Sequence, residues 1–214
     1  MNGAPRHTAG ARIGLMADNH GDEILMRRAL ALFRTRQCTR WVHLGDICDS
    51  TQFQTARNCL KLLATPEAVA VRGNNDHSLL QSGAPRLTRE VRAALARLPL
   101  VRFEAEAVLA HSLPFAASLG TRCMLADLDD EAARCFFRTF TGRHLFRGHG
   151  HHAQRVWQAE GVIHQEALAA GRRIWLDGLP PQIVTCGALS RHSAMIWDQA
   201  QRWIESVAVD QVDA

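Results

Sequence analysis

The sequence predicts an α/β fold, and three observations carry that expectation. Early in the chain, three apolar strand-like runs follow one another, each ending near Asp or Asn. Segments with helical spacing separate them, which argues for parallel strands. Beyond about residue 145 the pattern changes to short runs divided by Gly and Pro, as a second sheet would require.

Taken in order, Arg12 to Ala17 reads as a buried strand ending at Asp18. Asp22 to Arg36 carries Ile24, Leu25, Leu30, Ala31 and Leu32 at helical spacing, with Arg on the other face. Trp41 to Leu44 is a second strand, ending in Gly-Asp. A helix follows from Gln52 to Leu63, closed by Pro66, which also biases Thr65 away from helix. Ala68 to Arg72 is a third strand, ending in Gly73-Asn74. Thr88 to Leu98 is a helix stopped by Pro99, and Ala107 to Ala110 a strand ending at His111. Asp127 to Phe140 is helical, with acidic residues in its first turn as the dipole favours. Leu145-Phe146 lead into Gly148. The runs Arg155–Gln158, Arg173–Leu176, Ile183–Cys186, Ala194–Trp197 and Arg202–Val209 complete the second sheet.

With 214 residues, one domain spanning 1–214 is expected. Residues 1–11 are polar and lack a signal-peptide pattern, so they read as a loose tail. A hydrophobic content of 47% argues against disorder. No apolar run is long enough to cross a bilayer, so no membrane partner is expected. The net charge of +4 is carried almost wholly by Arg, with Lys61 the one lysine and no dense basic run. Nucleic acid is therefore not signalled as a partner. The six cysteines, Cys38, Cys48, Cys59, Cys123, Cys135 and Cys186, form no CxxC pair and point to a reducing, cytoplasmic setting.

The chemistry gathers at five strand ends: Asp18-Asn19-His20-Gly21, Gly45-Asp46, Gly73-Asn74-Asn75-Asp76, His111, and Gly148-His149-Gly150-His151. In α/β sheets, ligands bind at the carboxyl ends of strands. Carboxylates, imidazoles and a carboxamide without thiolates suit Mn, Fe, Zn or Ni. Neighbouring glycines let the backbone turn sharply. Alone, Asp18 or His111 would read as a turn residue; the ordered set argues for metal.

These blocks, D-x-H-G, G-D-x-x-D, G-N-x-D, a strand-end His and G-H-x-H, resemble the signature of the calcineurin-like metallophosphoesterase superfamily, in family order from Asp18 to His151. Size and the lack of a large insert resemble its small bacterial phosphodiesterase-like branch. The G-D-I-C-D-S sequence lacks the D-R-G ending of the Ser/Thr protein phosphatases. The resemblance implies a four-layer α/β/β/α sandwich with two mixed sheets. It implies two divalent metal ions, Mn being the expected one and Fe, Zn or Ni the alternatives. The first would be held by Asp18, His20, Asp46 and His151, the second by Asp46, Asn74, His111 and His149, with Asp46 bridging. Two such ions, about 3.5–4 Å apart, would hold a hydroxide nucleophile and clamp the phosphate oxygens.

The family's general acid is a His directly after the Asn of G-N-H-D/E. Here that place is Asn75. Asp49 matches the acid that orients this His and is expected to hold the Asn75 amide instead. Without the usual proton donor, worth about 10²–10⁴-fold, the expected substrates are phosphodiesters or activated phosphate esters, small or nucleotide-type. His77 or His152 could replace the donor. Ser112 stands for a Gly, Gly150 for a Thr and Asp22 for an Asn of the family pattern. Segment 114–128 is expected to set specificity and could close over the site as a lid. His77, His144 and His152 read as surface residues or residues behind the ligands, and His43 as a partly buried His in a strand. The stretch Cys186-Gly187 to Arg191-His192 could reach the cleft rim. The competing reading is a metal-binding interaction scaffold of the same fold, which the missing His favours and the complete ligand set opposes; a nuclease is a third.

Overall fold

Strand β1 (Arg12–Met16) is buried over its last four residues, because helices cover one face and a second sheet the other. The computed structural model describes residues 10–82, 87–104, 106–115 and 122–210. The further strands are β2 (Arg40–His43), β3 (Ala68–Ala70), β4 (Val101–Phe103), β5 (Ala107–Ala110), β6 (His144–Arg147), β7 (Ala153–Ala159), β8 (Val162–Ala167), β9 (Arg173–Trp175), β10 (Gln182–Cys186), β11 (Ser193–Asp198) and β12 (Trp203–Ala208). The helices are α1 (Glu23–Thr35), α2 (Ala56–Leu62), α3 (Asn74–Gln81), α4 (Arg89–Arg97), α5 (Arg122–Leu125) and α6 (Asp130–Thr139).

Two six-stranded mixed sheets result, ordered β3-β2-β1-β11-β12-β9 and β4-β5-β6-β10-β7-β8. In the first, β1, β2 and β3 run parallel and β11 antiparallel to β1. In the second, β5, β6 and β10 run parallel. Period-2 alternation sorts the side chains into layers. Ile13 and Leu15 of β1, Leu109 of β5, Phe146 of β6 and Met195 and Trp197 of β11 fill the space between the sheets. Met16, Ala194 and Ile196 face the helices instead, packing with Met26, Phe33 and Leu95. On the outside of the second sheet, Val108, Leu145 and Ile183 pack against Ala133 and Phe136 of α6. This is the expected four-layer arrangement. Gly14 is required for it: a Cβ there would lie 2.3 Å from the Phe33 ring, which rests directly on the strand.

Caps explain the helix starts. Asp22 accepts from Leu25 N at 2.9 Å, Thr88 from Val91 N at 3.3 Å and Asp129 from Ala132 N at 2.8 Å. The last helix therefore begins at Asp130, later than expected. The helix expected over Gln52–Leu63 opens as a 3-10 turn, Phe53–Thr55, before α2. Helix α3 and the short elements β4, β8 and α5 were not anticipated. Of the expected tail, residues 1–9 lie outside the described set; Ala11 is buried and its carbonyl accepts from Gln199 N at 3.1 Å, so it is not loose. The six cysteines are free, and among the described residues no helix is long and apolar enough to cross a membrane.

Two histidines are more deeply buried than their sequence context suggests. His144 is 7% exposed, not a surface residue, and its Nδ1 accepts from Gln182 N at 3.1 Å, tying β6 to β10. His43 is wholly buried, its Nε2–H donating to Asn19 Oδ1 at 2.8 Å. Burial, helped by the Arg202 charge, pushes His144 down to about 4, and burial pushes His43 down to about 3. The unfolded chain binds these protons more readily, so stability is full above pH 6.5 and falls as pH drops toward 4. Between pH 7 and 5, His144 should account for a loss on the order of 1–2 kcal/mol. Urea unfolding at both pH values should show a shallower decline in His144→Gln; identical declines in variant and wild type would sink this assignment.

Candidate functional site

The parallel strands of both sheets end side by side. Met16 of β1 lies beside His43 of β2, and His43 beside Ala70 of β3, so Asp18, Asp46 and Asn74 leave one edge together. Across the sandwich, Leu109 of β5 pairs with Phe146 of β6, which brings His111 beside the Gly148–His151 turn. Two hydrogen bonds close the arrangement: Asp18 N to Gly45 O within the first sheet at 3.0 Å, and His149 N to Asp18 Oδ2 between the sheets at 3.0 Å.

The backbone is bent hard at these ends. Asp18, His20, Asp46, His149 and His151 all have positive φ, from 46° to 62°. That region is rarely occupied by non-glycine residues, costs roughly 1–3 kcal/mol each, and clusters at functional sites. Glycine gives the room: a Cβ on Gly73 would stand 2.1 Å from Asp46 N and 2.2 Å from Asp46 Oδ1.

The side chains converge. Asp18 Oδ1, His20 and His151 form one group able to hold a cation, and Asp18, Asp46 and His111 a second. His20 Nε2 and His151 Nε2 are 3.4 Å apart, and His151 Nε2 lies 3.5 Å from Asp18 Oδ1. The second group is the more telling. His111 Nδ1 donates to Leu44 O at 2.7 Å, so in the neutral ring Nε2 carries the lone pair. That lone pair faces Asn74 Oδ1 at 3.0 Å and Asp46 Oδ1 at 3.5 Å. Three acceptors turned on one another repel unless a cation lies among them. Asp18 Oδ1 is likewise buried with no hydrogen-bond partner. The donor set, hard oxygen with imidazole, suits divalent metals. His149 lies beside this group, its ring centroid 5.1 Å from that of His111.

Electrostatics divides the histidines. The Asp18 carboxylate raises His151 above the ordinary imidazole range, against its burial. Burial lowers His149, with the Arg147 charge adding to the effect. For Asp18, burial works upward, but His151 and the other imidazoles outweigh it and the carboxyl stays below its usual range.

Asn75, the residue in the proton donor's place, is bound to Asp46 twice. Its backbone N donates to Asp46 Oδ1 at 2.8 Å and its Nδ2 to Asp46 Oδ2 at 2.6 Å. The expected Asp49–Asn75 contact is absent. Asp49 Oδ1 accepts from Thr51 N and Oγ1, both at 2.6 Å, and from Gln52 N at 3.0 Å, because the local turn offers it three donors. His152 Nε2 accepts from Arg191 Nη1 at 2.9 Å, so that nitrogen has no proton to give. His77 Nδ1 is buried without a hydrogen-bond partner. Of the segment 114–128, residues 116–121 lie outside the described set. Its far flank is tied back to the site: Ser112 N donates to Cys123 O at 2.9 Å, and Ser112 Oγ to Ala126 O.

Three supporting groups had no assigned role in the sequence reading. Asp76, fully buried, accepts from Gly73 N at 3.0 Å, Cys48 N at 2.9 Å and Ile47 N at 3.3 Å. It binds the β2 turn to the start of α3, and its place in G-N-x-D was the available signal. Arg147, 2% exposed, donates from Nε to Ser112 O at 3.1 Å and from Nη2 to Ser112 Oγ at 2.9 Å. Burial pushes it down to about 10, still protonated at neutral pH. Nothing in the local pattern marked it. Asn19 Oδ1 accepts from His43, and Gly45 N donates to His43 Nδ1 at 3.3 Å, which braces the turn from behind.

A family model described as the calcineurin-like phosphoesterase superfamily domain matches residues 12–170. No curated protein sequence matches the chain at a significant level. Among solved structures, a metallophosphoesterase from Sphaerobacter thermophilus superposes with a TM-score of 0.76 at 18% identity, over 94% of this chain and 88% of that one. A hypothetical protein from Pyrococcus horikoshii gives 0.65 at 13%, over 93% and 88%. A protein serine/threonine phosphatase from Saccharomyces cerevisiae gives 0.55 at 16%, over 97% and 83%. At such identities the likeness is one of fold.

Asp76→Ala would leave three backbone N–H groups buried and unpaired. It should destabilise the protein by about 3 kcal/mol or more, read as a lower urea midpoint. A midpoint unchanged from wild type would show that the carboxylate does not organise the turn.

Proposed function

The chain belongs to the calcineurin-like phosphoesterase superfamily, and from that premise we propose that it is a metal-dependent phosphoesterase acting on phosphodiesters or activated phosphate esters. The observation that carries this reading is the convergence of acceptors, His111 Nε2 on Asn74 Oδ1 and Asp46 Oδ1, beside the unpartnered Asp18 Oδ1. We assign Asp18, His20, Asp46 and His151 to one divalent ion and Asp46, Asn74, His111 and His149 to a second, with Mn as the first metal to try. The free thiols favour a reducing compartment such as the cytoplasm. When bound, two such ions supply Lewis acidity to the phosphate oxygens and lower the pKa of water.

The chain's own residues set the rest. Leu44 O fixes the tautomer of His111, and the hydrogen bond orients the ring, as partners behind metal ligands do. The two Asn75 bonds hold the Asp46 carboxylate in place. Asn75 has no titratable proton to deliver to a leaving oxygen, and its amide is already engaged. Asp49 shapes the adjacent turn. An alkoxide leaving group would therefore depart poorly, whereas an aryl oxide or a similarly acidic leaving group needs little protonation.

With protein stripped of metal and reloaded with Mn, an aryl phosphodiester should be hydrolysed faster than the matching monoester, and Asp46→Asn should abolish both activities. Mn uptake of two ions per chain without turnover on either ester would favour the scaffold reading instead. In Asn75→His, a restored proton donor should raise kcat for an alkyl phosphate ester by about 10-fold or more. No gain would mean that the leaving group is served from elsewhere in the site.

A further inference from the structure

Thr185 of β10 stands beside Arg147 of β6 in the parallel register of the second sheet. Two residues earlier on each strand, Leu145 and Ile183 pack outward against α6. By the alternation of strands, Arg147 and Thr185 face the same way. Both are buried, at 2% and 0% exposure, yet neither is fully satisfied. The Thr185 hydroxyl has no hydrogen-bond partner. Arg147 spends Nε and Nη2 on Ser112, and among the described residues its Nη1 has no partner. Buried polar side chains are nearly always hydrogen-bonded, so each exception calls for an account.

The two groups face one place. A Cβ built on Gly150 would lie 3.9 Å from Arg147 Nη1, 3.9 Å from Thr185 Oγ1 and 3.4 Å from Thr185 Cγ2, its nearest neighbours outside the turn. These are ordinary contacts, so there is room for a short side chain, and Gly150 is exposed to solvent. The family pattern has Thr at this position. A threonine would bring its own hydroxyl toward the guanidinium and Thr185. With glycine, both turn on a notch open to small solutes.

Charge and size decide what the notch takes. Two carboxylates act on Arg147 from a distance: Asp18, which belongs to the cation-holding groups, and Asp127, which is exposed. A buried charge without a close countercharge is costly, which favours an anion over water here. The room is that of one short side chain. It suits a single halide ion and is too small for phosphate or sulfate.

We propose that Arg147 Nη1 and Thr185 Oγ1, with the notch at Gly150, form a binding site for one halide ion, chloride under physiological conditions. The ion accepts from the guanidinium and from the hydroxyl, which satisfies both, and it rests against the turn that carries His149 and His151. The site needs no metal, so it stands or falls separately from the phosphoesterase reading.

The test uses the full chain stripped of metal, so that halide has no metal ion to bind. Crystals grown in sodium bromide should show an anomalous peak within contact of Arg147 Nη1 and Thr185 Oγ1, and none there in Gly150→Thr. In solution, chloride replaces gluconate, an anion too large for the notch, at constant ionic strength. The urea midpoint of wild type should rise with chloride and then level off, as linkage to one site requires. Gly150→Thr should lose this response. Thr185→Val, which leaves the turn untouched, should be at least as stable as wild type in gluconate, because it removes an unpaired hydroxyl, and should need about 10-fold more chloride or greater for the same gain. No bromide peak in the notch, or a chloride response undiminished in both variants, would overturn the site. A peak without any chloride response of wild type in solution would mean binding at crystal concentration only, and would overturn it too.

Discussion

The hydrogen bond from His149 N to Asp18 Oδ2 joins the two sheets at the point where the chemistry gathers. Each sheet brings half of the proposed site: Asp18, His20, Asp46 and Asn74 from the β1–β3 side, His111, His149 and His151 from the β5–β6 side. Packing between the sheets fixes their separation, through Ile13, Leu15, Phe146 and Trp197. The cross-sheet bond fixes their registration at the strand ends. With the bond from His111 Nδ1 to Leu44 O, it sets the distance of the imidazoles from the carboxylates.

The same closeness explains the unusual backbone. Turns that must present a side chain inward, at once and from both sheets, have no room for a wider loop. Five residues accept a left-handed conformation, and Gly73 lies against the Asp46 peptide with no space for a methyl group. That conformational cost is offset by interactions behind the turns. Asp76 collects three backbone N–H groups, and His43 bridges Asn19 and Gly45. Arg147 does similar work beside His111 through the carbonyl and hydroxyl oxygens of Ser112. Ser112, where the family pattern has Gly, thus has a structural use.

The strand-end blocks are legible in the sequence because Asp, His, Asn and Gly interrupt apolar runs abruptly, and because their order resembles a known pattern. The parallel strands and long helices are legible through their periodicity. Helix α3 is not, since its first residues, Asn74 to Asp76, have site chemistry and read as a loop. The three-residue β4 is too short to show a period, and β8 has two exposed faces, so no apolar alternation marks it. Depth is the other blind spot. His43 and His144 look like polar strand residues locally, and only partners distant in the chain, Asn19 and Gln182, make them buried. The Asp49 contact was misplaced for the opposite reason: the nearest donors, at Thr51 and Gln52, are local, and they take the carboxylate before a distant amide can.

His20 and His151 stand 131 positions apart in the chain and 3.4 Å apart in space. Asp18 and His149 are separated equally far. Among the described residues, no hairpin, helix pair or single sheet contains both halves of the proposed site. During folding, loop closure over such spans comes at an entropic cost that only the assembled sandwich recovers. The site is therefore complete only once the sandwich has assembled, and an isolated half of the chain would carry only part of the proposed ligand set.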